Sequence, residues 1–264
     1  MVAYGGEIPP GNTVRDRVRR VRARMEEAAR SCGRNPREIL LCAVSKYHPL
    51  EAMRQAVEAG VDLLGENRVQ EAAEKARAWP PEIPRVPWHL LGHLQRNKAR
   101  KALELFDAIQ SLDGEELALV LQRLCGEQGR GVSVLLEVNI SGEASKTGAD
   151  PRHVPGLLEV VQRQCPLLAV EGFMGMAPLS ESGDERRRAF AFLRELRDDL
   201  ARTSGLPLKI LSMGMSDDFP EAIREGSTLV RVGSALFGLP EKKGVPDDGP
   251  SGSPEDSRGV QDGV

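Results

Sequence analysis

Lys46 closes the segment Ala43-Val44-Ser45-Lys46, directly after the apolar run Ile39–Val44. A run of that kind reads as a buried strand, so the lysine stands at the strand's carboxyl end, partly withdrawn from water. In its neutral form such an amine is a nucleophile for an aldehyde, which is the requirement of Schiff-base chemistry. A lysine that only snorkels to solvent from a strand end is the plain alternative.

Two other segments suit an anion. Ser212-Met213-Gly214-Met215-Ser216 follows an apolar run and precedes a helix that starts near Phe219. Small hydroxyl and glycine residues there offer backbone N–H and Oγ donors. Gly233-Ser234 repeats the pattern after the last apolar run. Tight turns would use the same residue types. Arg231 lies two residues before Gly233, and strand alternation puts it on the face of Leu229 and Gly233, opposite Val230 and Val232. A fixed cation on an inward face needs a partner. A structural ion pair is one answer and a pyridine nitrogen another. The latter would stay unprotonated beside an arginine, leaving the ring a weaker electron sink.

Further polar segments stand at other apolar runs: Gly65-Glu66-Asn67-Arg68 after the second, the stretch His89 to Lys98 spanning the third and its loop, and Asn139-Ile140-Ser141 with Ser145-Lys146-Thr147-Gly148 after the fifth. No histidine or cysteine stands at metal-ligand spacing. Cys32, Cys42, Cys125 and Cys165 contain no CxxC pair and read as free thiols.

The elements that would carry these residues alternate along the chain. A helix from about Asn12 to Cys32 shows Val14, Val18, Val21, Met25 and Ala28 as one stripe, with Thr13 and Asp16 as a capping pair and Gly33 just past its end. Eight apolar runs follow: Ile39–Val44, Val61–Leu64, Trp88–Leu91, Ala108–Ile109, Val132–Val138, Leu167–Val170, Leu208–Leu211 and Thr228–Val232. They are continuously apolar, as strands covered on both faces should be. Amphipathic helical stretches separate them. Eight strands with helical crossovers predict a single (β/α)8 barrel preceded by an extra N-terminal helix. An open doubly wound sheet is the alternative, but no GxGxxG follows the first strand. In such a barrel, active groups gather at the carboxyl ends of the strands. The barrel is expected over 12–238, with a flexible N-terminus at 1–11 and a disordered polar tail at 239–264.

Composition bounds the function. Thirty-six basic against 39 acidic residues give a formal charge of −3, which disfavours wholesale nucleic-acid binding. Neither a signal-peptide h-region nor a stretch of about 18 apolar residues occurs, so a cytoplasmic protein is expected, with no membrane partner.

Taken in order, the Lys46, Glu66-Asn67, Trp88 to Lys98, Asn139-Ile140-Ser141, Ser212 to Ser216 and Val230 to Gly238 segments resemble the pyridoxal phosphate homeostasis family, long called alanine racemase-like proteins. The resemblance covers nearly the whole chain from the first helix to Gly238. It implies a fold-type III barrel without the C-terminal β-domain, holding pyridoxal 5′-phosphate (PLP) as a Schiff base on Lys46. It further implies phosphate contacts around Ser212, Gly214, Ser216, Gly233 and Ser234, Arg231 facing the pyridine nitrogen, and Asn67 close by. Tyr47 departs from the family, where a small polar residue is more usual, and Leu90-Leu91 replaces its typical pair.

The resemblance implies a PLP carrier that buffers the cofactor or delivers it to apo-enzymes, and a PLP-dependent racemase is the alternative. Racemisation needs an acid/base group on each face of the cofactor. Lys46 supplies one, whereas the only tyrosines are Tyr4 and Tyr47, the latter adjoining Lys46. The carrier is therefore the expectation, as a monomer, because the racemase-type dimer depends on the absent domain. A lysine-dependent aldolase on the same fold is a weaker third reading.

Overall fold

The computed structural model describes residues 12–143, 146–180 and 182–239. The regions expected to be flexible at 1–11 and disordered beyond 239 lie outside the described residues, as does Ser145.

Helix α1 (Val14–Ser31) opens with a full capping box. Thr13 Oγ1 accepts from Asp16 N–H at 3.2 Å, and Asp16 accepts in return from Thr13 N–H. Its buried stripe is Val18, Val21, Met25, Ala28 and Ala29. Then strand and helix alternate: β1 (Leu40–Val44), α2 (Leu50–Glu58), β2 (Leu63–Glu66), α3 (Val69–Arg77), β3 (Trp88–Leu90), α4 (Ala99–Leu105), β4 (Ala108–Leu112), α5 (Glu115–Gln128). The second half continues with β5 (Val132–Val138), α6 (Val154–Gln164), β6 (Leu168–Gly175), α7 (Gly183–Ser204), β7 (Ile210–Ser212), α8 (Phe219–Arg224), β8 (Leu229–Val232) and α9 (Ser234–Phe237). All eight strands pair in parallel and in order, and β8 returns to β1, with Cys42 opposite Arg231 and Ala43 opposite Val232. The barrel is closed.

Two strands are longer than the apolar pattern predicts. β4 continues through Gln110 and Ser111, both fully buried, to Leu112. β6 runs on to Gly175 after a bulge at Glu171, where the partner of Val134 is Val170 and that of Leu135 is Gly172. The bulge brings Gly172 to φ +155, and a Cβ there would lie 1.9 Å from Ile210 O, so glycine alone fits. Glu171 and Gly172 interrupt the apolar run there, which is why the run read from the sequence ends at Val170.

Most of the core lies between the strands and the surrounding helices. A small separate cluster, Cys42, Leu63 and Leu229 with Val44, Leu91 and Ile210 against it, fills the barrel's inward side. α1 packs on α8, α9 and α2. There Arg24 covers the Phe219 ring at 4.6 Å and Arg34 donates to the Ile223 and Ser227 carbonyls.

Candidate cofactor site

A cavity of about 440 Å³ opens at the carboxyl ends of the strands, lined by residues that follow or end β1, β2, β3, β5, β6, β7 and β8. That size suits a small organic ligand. Of the residues singled out in the sequence, Lys46, Asn67, Ser216, Arg231, Gly233 and Ser234 line it together.

Lys46 occupies a turn held on both sides. Before it, Ser45 is fully buried; its Oγ donates to Glu66 Oε1 at 2.7 Å and its carbonyl accepts from Lys75 Nζ at 2.8 Å. After it, Tyr47 N–H donates to Glu71 Oε1 at 2.7 Å. Lys75 ties the two together, reaching Glu66 at 2.7 Å and Glu71 at 2.6 Å. Tyr47 sits at φ +66, a left-handed conformation unusual for a tyrosine, and its ring lies under Arg68 at 5.3 Å. The backbone on either side of Lys46 is thus pinned to a buried ion network on β2 and α3, while the Lys46 side chain is exposed and faces the cavity.

Arg231 is 5% exposed, on the inward face of β8. One terminal nitrogen donates to Ser212 O at 2.6 Å and Ser212 Oγ at 2.8 Å, and the other to Gly175 O at 3.1 Å. Those partners are neutral. Burial pulls the guanidinium below the ordinary arginine value, opposed by Cys42, Glu137 and Asp218 nearby. Of its five N–H groups, three are spent, and two have no partner among the described residues.

The expected anion segment divides. Ser216 Oγ accepts from Ala235 N–H at 3.2 Å, so the loop after β7 is stitched to α9 and the hydroxyl proton stays available. Gly233 faces Val44, whose carbonyl would lie 3.3 Å from an added Cβ. Ser234, at the first position of α9, has an N–H with no acceptor inside the helix. Ser212 and Gly214 do not line the cavity. The Ser212 hydroxyl is spent on Arg231 and Gln110. Gly214 stands at φ +91 with an added Cβ 2.6 Å from that of Ala222, so its place is under α8. Asp218 accepts from Met215 N–H at 2.6 Å and fixes the same loop.

Sequence reasoning passed over Glu137. It is buried at the end of β5, with Oε1 accepting from Thr147 Oγ1 at 2.5 Å and Oε2 unpaired. Burial raises its carboxyl above the usual range, against the pull of Thr147 and Arg231. A carboxylate inside the run Val132–Val138 was the available signal. Met174, Met176 and Met215 add a soft apolar wall. Among the described residues no group of three His, Cys, Asp or Glu could hold a metal, and no helix is long and apolar enough to cross a membrane.

Comparison with known proteins bears on the fold and the family. The family described as alanine racemase, N-terminal domain, matches residues 17–241. The pyridoxal phosphate homeostasis protein of Pseudomonas aeruginosa is 43% identical over 230 residues, covering 86% of this chain and 96% of that protein. The structure of PipY of Synechococcus elongatus with PLP bound superposes with a TM-score of 0.75 at 38% identity, covering 86% of this chain and all of that one. An alanine racemase of Clostridium difficile shares the fold at a TM-score of 0.65 and 17% identity, and the chain spans 58% of its length. With this barrel, this cavity and these relatives, the chain belongs to the pyridoxal phosphate homeostasis family, built on the alanine racemase N-terminal barrel.

Proposed function

We propose that this chain binds PLP in the cavity at the strand ends, anchored by Lys46, and serves as a carrier in vitamin B6 homeostasis. The observation that carries the reading is the convergence on one cavity of an exposed lysine, a buried arginine with two unspent N–H groups, and a Ser216–Gly233–Ser234 cradle. The residues fit the group: the cradle is narrow at Gly233, and the arginine has donors left for one more acceptor.

PLP supplies an aldehyde electrophile and an electron-accepting ring when bound. Lys46 Nζ is the amine that would bond that aldehyde carbon, and the Ser45–Glu66–Lys75–Glu71 network keeps its backbone in place. Ser216 Oγ and the Ser234 N–H and hydroxyl would donate to the phosphate, while Gly233 leaves room for it. Arg231 would donate to the ring nitrogen and, remaining protonated, hold it unprotonated. Asn67 lines the wall beside Gly92, whose added Cβ would lie 2.3 Å from Asn67 O, so the β2 and β3 loops meet in close contact there.

Carriage rather than turnover is supported by the name its relatives bear. Tyr47, the tyrosine at the mouth, has its N–H committed to Glu71 and its ring to Arg68. Handing the cofactor to apo-enzymes and a monomeric state complete the proposal. The test is titration of the protein with PLP, followed by absorbance and by mass spectrometry after borohydride reduction. The expected result is one PLP-sized adduct on a Lys46 peptide, absent from Lys46→Ala. A wild-type protein without a reducible adduct would overturn the anchor. Deuterium exchange at Cα of L- and D-alanine in heavy water should stay at the background rate, and rapid exchange would favour a racemase.

A further inference from the structure

Arg231 is the last member of a hydrogen-bonded chain that crosses the barrel interior. Ser212 Oγ donates to Gln110 Oε1 at 2.6 Å, and Gln110 Nε2 lies 2.9 Å from His89 Nδ1. The chain therefore runs His89 on β3, Gln110 on β4, Ser212 on β7 and Arg231 on β8, and both Gln110 and Ser212 are fully buried.

Its direction is set by chemistry. A guanidinium only donates, so Ser212 Oγ accepts from Arg231 and its single O–H must go elsewhere. That proton meets Gln110, which fixes the amide oxygen toward Ser212 and the amide nitrogen toward His89. His89 Nδ1 must then be bare. Burial pushes His89 down to about 4, so the ring is neutral at ordinary pH and Nδ1 can accept. A chain in which every member donates the same way is mutually reinforcing. Neither Gln110 nor His89 lines the cavity, so their reach to a ligand is through Arg231.

We propose that Gln110 is a positioning residue that aims Arg231 at the cofactor ring through Ser212, with His89 as the terminal acceptor that fixes the amide's orientation. The consequence for Ser212 is that its hydroxyl serves the arginine and not the phosphate. The proposal rests on the PLP reading for the identity of the ring, but the relay is a property of the ligand-free protein and is testable there.

The experiment combines Gln110→Leu, Ser212→Ala and Arg231→Lys with the pair Gln110→Leu/Arg231→Lys. In the ligand-free protein, the ¹⁵N resonance of the Arg231 Nε–H should shift or broaden in Gln110→Leu and in Ser212→Ala. On PLP titration, Gln110→Leu should bind roughly tenfold more weakly, the scale of a mis-set hydrogen bond from a charged group. Its bound cofactor should show a displaced absorption band. In the Arg231→Lys background the same substitution should change affinity less than twofold. An unmoved arginine resonance in a folded Gln110→Leu protein would overturn the proposal. So would an equal loss of affinity with and without Arg231, the mark of a merely structural glutamine. Ser212→Ala breaks the same chain one link nearer the arginine and decides the matter if Gln110→Leu does not fold. A wild-type protein that never binds PLP sinks the cofactor reading alone, since the resonance measurement stands without ligand.

Discussion

Lys46 and Arg231 are each a charge where an apolar strand would otherwise continue, and the fold brings both to one cavity. Glu137, which lines the same cavity, and Gln110, buried behind Arg231, were not picked out from the sequence. Glu137 was absorbed into a run that is apolar on either side, and Gln110 stood just past the point where the fourth run was cut at Ile109. Gln110 is invisible to a hydrophobic pattern because its partner Ser212 comes from a strand distant in sequence, whereas Glu137 takes Thr147 from the loop that follows its own strand. Glu137 yields a pH prediction. Its folded-state carboxyl is raised by burial, so the native state holds its proton to higher pH than the unfolded chain. Stability from this group is complete below the unfolded value and is lost as pH rises through the folded one. Glu137→Gln should therefore be the more stable protein near neutral pH, by roughly 1 kcal/mol. The advantage should vanish below about pH 4, where both states of the wild type are protonated. Urea unfolding of the two proteins from pH 4 to 8 measures it, and an advantage that grows toward acid would refute the assignment. Lys75 tests the cost of breaking a buried ion pair. Lys75→Met leaves the fully buried Glu66 without its cation, which should cost about 3 kcal/mol, and adding Glu66→Gln should restore much of the loss. The same urea series reads both.

At the scale of elements, the order of strands and helices was readable because parallel strands buried on both faces leave uninterrupted apolar runs. What failed were the ends. β4 and β6 both continue beyond their runs, and in β6 the reason is local: Glu171 bulges out and Gly172 resets the alternation, so Phe173 and Met174 belong to the same strand as Val170. The bulge places Met174 on the cavity wall, so this irregularity shapes the site. Gly172→Ala should destabilise by about 3 kcal/mol or more, since a side chain cannot adopt φ +155 cheaply and would strike Ile210 O. Thermal unfolding checks this, and a loss under 1 kcal/mol would mean that the bulge can relax. The N-terminal helix was the most legible element, because its cap, stripe and terminal glycine agree with one another.

For the molecule as a whole, the site lies at the seam where the first and last strands of the barrel meet. Lys46 follows β1 and Arg231 belongs to β8, and these strands pair over Leu40–Ala43 and Leu229–Val232. Asn67 comes after β2 and Ser216 after β7, the next strands on either side. No fragment shorter than residues 46–231, nearly the whole barrel, contains this set, so ligand binding requires closure of the β1–β8 seam and is coupled to global folding. A ligand that binds only the closed barrel adds RT ln(1 + [L]/Kd) to its stability, about 2.7 kcal/mol at a concentration 100 times Kd. For a chain of this size that is a rise of roughly 5–10 °C in Tm. The unfolding transition in the presence of PLP should therefore stay single and move upward as one, with a much smaller shift for Lys46→Ala. A second transition that ignores PLP would show that part of the barrel melts independently of the seam, and the coupling argued from the strand order would fail.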